Sequence, residues 1–113
     1  MSTYLEKLGR EAAALHAQAD ELRASGRGDE AALTQIRINM HEICRALYQA
    51  SLKAAGEGGL REAYLAKLEH VSQPWAKARE QATAHGDECR AIIETLKLDT
   101  LDQLRRLYLE TEG

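Results

Sequence analysis

Residues 64–96 read YLAKLEHVSQPWAKAREQATAHGDECRAIIETL, and the spacing of their apolar members decides the fold class. Tyr64, Leu68, Val71, Trp75, Ala78 and Ala82 recur at alternating intervals of three and four, and the phase runs on through His85, Cys89, Ile92 and Leu96. That period puts the side chains on one stripe of an α-helix, the seam by which helices pack at shallow angles. Unbroken from about residue 60 to 97, the helix would span ~57 Å at 1.5 Å per residue, well beyond its neighbours. His85-Gly86-Asp87 is therefore expected to fold the end back, with glycine past the helix end and Asp87 capping the next one.

Two further seams precede it. Leu5, Leu8, Ala12, Leu15, Ala19 and Leu22 form the first; Leu33, Ile36, Met40, Ile43, Leu47, Ala50 and Ala54 form the second. Ser25-Gly26-Arg27-Gly28-Asp29 and Gly56-Glu57-Gly58-Gly59 punctuate the seams, with Asp29 as the expected N-cap of the second helix. Short connections of this kind join antiparallel neighbours. The spacing predicts helices over about 3–25, 29–55 and 60–85, the third kinked near Pro74, which lacks an amide donor. A fourth is predicted over about 87–97. Thr100 followed three residues later by Gln103 has capping-box spacing and predicts a fifth over about 100–110. The expected architecture is all-α: one domain over residues 1–113, an up-down-up three-helix bundle with one or two short C-terminal helices.

Composition narrows the class. Charged residues make up 29% of the chain and the net charge is −3, with Arg105-Arg106 the one adjacent basic pair. A nucleic-acid surface would show a basic stripe, so nucleic acid is not an expected partner. No run approaches 18 apolar residues, and the opening MSTYLEKLGREAAAL has no secretory apolar core, so a membrane is not expected and a cytoplasmic location is. Cys44 and Cys89 lie on different predicted helices and are expected as reduced thiols.

Turn positions also set which residues lie level. Centres near 27 and 57–58 place Tyr4, Tyr48 and Tyr64 at one end of the bundle, closing it with hydroxyls toward water, and Trp75 level with Met40. His41-x-x-Cys44 and His85-x3-Cys89 supply ligand-type pairs, but the same register separates His41 from His85 by ~15 Å or more. No metal or cofactor is expected. Glu-x-x-His pairs are absent, and His41-Glu42 is followed by Arg45 where a second zincin histidine would stand. Gly26-x-Gly28-x-x-Ala31 follows a helix rather than a strand and is turn punctuation. Neither cysteine nor Ser51 lies in a nucleophile signature, so no catalytic residue is assigned and no enzyme is expected.

Gly86-Asp87 followed by CRAIIETLKLDTLDQLRRLY over 89–108, together with Ile36-Arg37-Ile38-Asn39, resembles small all-helical proteins of gut-associated anaerobic bacteria. That family has no assigned function, and the resemblance implies a bacterial helical protein without implying any site residue.

Excess apolar surface in the last third suggests a docking face on Ile93, Leu98, Leu101, Leu104, Leu107 and Tyr108. The functional expectation is a non-enzymatic protein–protein interaction module or a small homo-oligomeric helical scaffold, with a homodimer among its forms and coiled-coil-like packing. The alternative is a small-molecule or metal-binding helical bundle.

Overall fold

A computed structural model describes residues 2–112. It contains three helices: α1 (Tyr4–Ala24), α2 (Gly28–Ala84) and α3 (Glu88–Glu112). No strand occurs among the described residues. The 57 residues of α2 would reach ~85 Å as a straight rod, but the molecule measures only 44 × 35 × 20 Å. The helix reverses at Gly56, where φ is 68° and ψ 179°, the one non-helical residue inside it. Only glycine takes that φ without a Cβ penalty, so one residue does the work of a loop. Tyr48 and Tyr64, eight residues on either side, consequently meet with ring centroids 5.5 Å apart. Four antiparallel segments result: α1, the arms of α2 over 28–55 and 57–84, and α3.

The two remaining turns are built alike. After α1, Gly26 N–H donates to the Arg23 carbonyl and Arg27 N–H to the Leu22 carbonyl; after α2, Gly86 donates to Thr83 and Asp87 to Ala82. Both are glycine-centred Schellman turns that satisfy the last carbonyls of the helix they end. Thr3 and Glu6 close a capping box at the start of α1. The Asp87 carboxylate accepts from Arg90 N–H at 3.1 Å and caps α3.

Several sequence expectations need correction. Asp29 is not a cap: Arg27 holds that position without a side-chain bond, and Asp29 lies in the first turn, facing the positive helix end. The predicted short helices over 87–97 and 100–110 are one helix. Thr100 caps nothing, because its hydroxyl donates to the Leu96 carbonyl one turn back. Pro74 sits inside the second arm, where the helical dihedrals continue, and the reversal expected within 56–59 falls on Gly56 itself.

The first arm of α2 is also rotated by about one residue from its apolar seam. Its buried residues are Ala31, Thr34, Ile38, Met40, His41, Cys44, Tyr48 and Ser51, whereas Leu33 is 37% exposed. Burying Thr34 and His41 is inexpensive, because each bonds the carbonyl four residues back, Glu30 at 3.0 Å and Arg37 at 2.7 Å.

The main core lies in the half of the molecule that contains Gly56, the start of α1 and the end of α3. Leu8, Met40, Cys44, Leu60, Leu68, Leu101 and Leu104 pack there with all four tyrosines. The opposite half buries small residues, Ala19, Ala31 and Ala82, which draw the helices of each hairpin together. Four helices in a square array with axes ~8–10 Å apart would be ~20 Å wide. The 35 Å second dimension and the sparse contact between α1 and α3 mean that the hairpins diverge from the tyrosine end.

Candidate functional site

Each of the four helical segments contributes one tyrosine to a single cluster. Tyr4 opens α1, Tyr48 and Tyr64 flank the reversal, and Tyr108 lies in the penultimate turn of α3. All six pairs of rings touch, with centroids 5.0–6.1 Å apart and most pairs edge-to-face. Such geometry sets the positive edge of one ring against the negative face of another and contributes ~0.5–1.5 kcal/mol per pair beyond burial.

The expectation of one tyrosine-rich end holds for Tyr4, Tyr48 and Tyr64. Their hydroxyls differ from the expectation. Tyr4 and Tyr64 are wholly buried, and their hydroxyl oxygens lie 2.6 Å apart. Tyr4 donates to the Leu104 carbonyl at 3.0 Å, so Tyr64 is the donor between the two rings. Tyr48 donates to Glu112 Oε2 at 3.0 Å, and the other oxygen of that carboxylate accepts from the Tyr4 amide at 3.4 Å. Glu112 therefore ties the last turn of α3 to the first turn of α1.

Burial dominates the electrostatics. It raises the Tyr48 hydroxyl to about 12, helped by the Glu112 carboxylate, and the Cys44 thiol to about 11. It holds Tyr4 and Tyr64 well above the ordinary phenol value, with Cys44 adding to the effect on both. Near neutral pH every member is protonated and uncharged. The cluster therefore packs and orients, and offers neither a base nor an anionic nucleophile.

Outside the cluster, a cleft of about 450 Å³ opens between the edges of Tyr48 and Tyr108, with Leu52, Glu57, Arg61 and Glu112 on its walls. A second groove, about 360 Å³, lies where α1 and α3 diverge. At its floor His41 Nδ1 donates to the Arg37 carbonyl, and Nε2 lies 3.4 Å from Glu11 Oε1 of α1. His41 thus pairs with a carboxylate across a hairpin. Its neighbour Cys44 faces the tyrosines, while His85 and Cys89 are exposed at the distant turn. The two ligand-type pairs are not brought together, and no group of three metal-ligand side chains occurs among the described residues.

The expected docking face does not form as a unit. Leu101, Leu104 and Tyr108 are core residues, 5%, 2% and 2% exposed, and Ile93, Leu98 and Leu107 are half-buried. The cause is the phase of α3, which resets at Gly86, so Leu101, Leu104 and Tyr108 face the second arm. Ile92, assigned inward by the continued seam, is instead 58% exposed. Tyr108 and Glu11 were the functional neighbours missed by sequence reasoning. A turn centred at Gly86 sets residue 108 opposite residue 64, which is the signal that finds Tyr108.

No helix among the described residues is long and apolar enough to cross a membrane. Comparison with protein-family models, curated proteins and solved structures finds no match.

Proposed function

We propose that the chain is a non-enzymatic helical interaction module that associates with a second copy through the turn end of the bundle. The observation that carries this reading is the 58% exposure of Ile92, with half-buried Ile93 and Leu96 beside it on α3. The register that sets Tyr48 and Tyr108 opposite Tyr64 also sets Leu33 and Ile92 at the same height, opposite residues 79 and 80. These two are the large apolar side chains exposed among the described residues. Large apolar side chains exposed at one end of the bundle favour association there.

Light scattering coupled to size exclusion tests the proposal. The mass of the native chain should rise from one copy toward two with concentration, and Leu33→Lys/Ile92→Lys should hold it at one. A native mass fixed at one copy from micromolar to millimolar chain would reject it.

A second reading, a small-molecule binding bundle, draws support from the cleft beside Tyr48 and Tyr108, where apolar ring edges meet Arg61, Glu57 and Glu112. A metabolite panel read by thermal melting tests it. A ligand of this cleft raises the melting temperature of the native chain and loses that effect in Arg61→Ala.

A further inference from the structure

The hinge at Gly56 has an alternative conformation built into it. Residues on both sides are helical up to Gly56 itself, so restoring one residue to helical dihedrals turns α2 into a continuous rod. The two hairpins, α1 with the first arm and the second arm with α3, would then separate. We propose that the opened chain pairs with a second copy of itself by exchanging hairpins, so that each tyrosine cluster is completed in trans.

Symmetry supports this choice of partner. In the closed chain, residues equidistant from Gly56 face each other, as Tyr48 and Tyr64 do. Two opened copies related by a twofold axis at Gly56 restore the same antiparallel pairs between chains, including the Tyr4–Tyr64 hydrogen bond. A short hinge whose opening leaves every other contact satisfiable between copies is the condition for domain swapping. Phase fixes how the copies meet. Nine residues, two and a half turns, separate Ser51 from Leu60, the last and first buried positions of the two arms. Their stripes therefore lie on opposite faces of the rod, and the two rods must cross at 54–59, where five of six residues are Ala or Gly and close approach is open.

The glycines of the hinge distinguish the two states. At Gly56 a side chain is strained by φ 68°, and at Gly59 a Cβ would lie 2.9 Å from the Ala55 Cβ. Both penalties belong to the closed hairpin and vanish in a continuous helix, where alanine is favoured over glycine. Gly58 has neither constraint, since a Cβ there meets nothing within 4 Å. This exchange uses the core and not Ile92, so it stands apart from the surface association proposed above.

The test compares Gly56→Ala, Gly59→Ala and Gly58→Ala, all built on the Leu33→Lys/Ile92→Lys chain. Mass, helical circular dichroism and tyrosine ionisation at pH 10 are read for each. Gly56→Ala and Gly59→Ala are expected at twice the mass of one chain, helical, with tyrosines still shielded and no dissociation after a hundredfold dilution. Gly58→Ala is expected at one copy. Folded monomers for Gly56→Ala and Gly59→Ala would overturn the proposal. If those two fail to fold, refolding of the parent at millimolar concentration decides it: a dimer that persists on dilution supports exchange, and monomer alone rejects it.

Discussion

Tyr64 donates its hydroxyl hydrogen to the Tyr4 hydroxyl across 2.6 Å, joining the second arm of α2 to α1 from 60 residues away in sequence. The bond has a direction, because Tyr4 spends its own hydrogen on the Leu104 carbonyl. The two phenols are therefore not equivalent. Tyr4→Phe strands a donor in a dry site and should cost ~1–3 kcal/mol. Tyr64→Phe leaves Tyr4 bonded to Leu104 and should cost only ~0.5–1.5 kcal/mol. Urea unfolding of the two variants measures the order, and a larger loss for Tyr64→Phe would reverse the assigned direction.

Alkali should unfold the chain cooperatively. Burial holds Cys44 near 11 and Tyr48 near 12, against ordinary values of 9.0 and 10.0, and holds Tyr4 and Tyr64 higher. A raised value means that the folded chain binds the proton more tightly than the unfolded one. The resulting stability is complete below about pH 9, then declines as pH rises through the folded values. Tyrosinate absorbance should stay nearly flat through pH 10 and then rise together with the loss of helical circular dichroism. A tyrosine titrating near pH 10 with the helices intact would contradict this closed cluster.

The two thiols should separate sharply in reactivity. Cys89 is exposed in the first turn of α3, whereas Cys44 is fully buried with its thiolate disfavoured. A thiol reagent at pH 8 should label one site promptly and the second only at the rate of opening of the core. Cys89→Ser should abolish the fast phase and leave the slow one.

The sequence made the helices and their reversals legible because periodicity and glycine are local signals. Tyr4, Tyr48 and Tyr64 could be aligned from turn positions alone. The rotation of the first arm was hidden, because Leu33, Ile36 and Ile43 give the stronger apolar stripe. Thr34 and His41 become acceptable in the core only once their bonds to Glu30 and Arg37 are known. The phase of α3 was hidden for a different reason. A Schellman turn inserts non-helical residues, so the count that linked Ala82 to Ile92 and Leu96 no longer measures angle. Tyr108 was assigned to a surface because 100–110 read as a separate short helix with surplus apolar residues, and the candidate site lost its fourth member.

Glu94 Oε2 is, with Ser51 Oγ, one of two buried side-chain oxygens without a partner among the described residues, and Glu94 gives the last prediction. Its side chain is 2% exposed; Arg90 and Lys97 both donate to Oε1, at 3.1 and 3.3 Å, and Oε2 has no partner among the described residues. The flanking cations depend on it weakly. Arg90 is largely solvated, and Lys97 also sits 5.8 Å over the Trp75 ring. A buried carboxylate bonded through one oxygen loses more hydration than two partly solvated cations return. Glu94→Leu should therefore leave stability unchanged or raise it by about 1 kcal/mol. Glu94→Gln keeps the shape and lets the amide oxygen accept from both cations, but it loses the charge assistance and buries an NH2 without acceptors in the place of Oε2, and should cost ~1–2 kcal/mol. Urea midpoints ranked Leu, then Glu, then Gln would establish the carboxylate as a net liability, and a midpoint for Glu94→Leu well below the native one would refute that ranking.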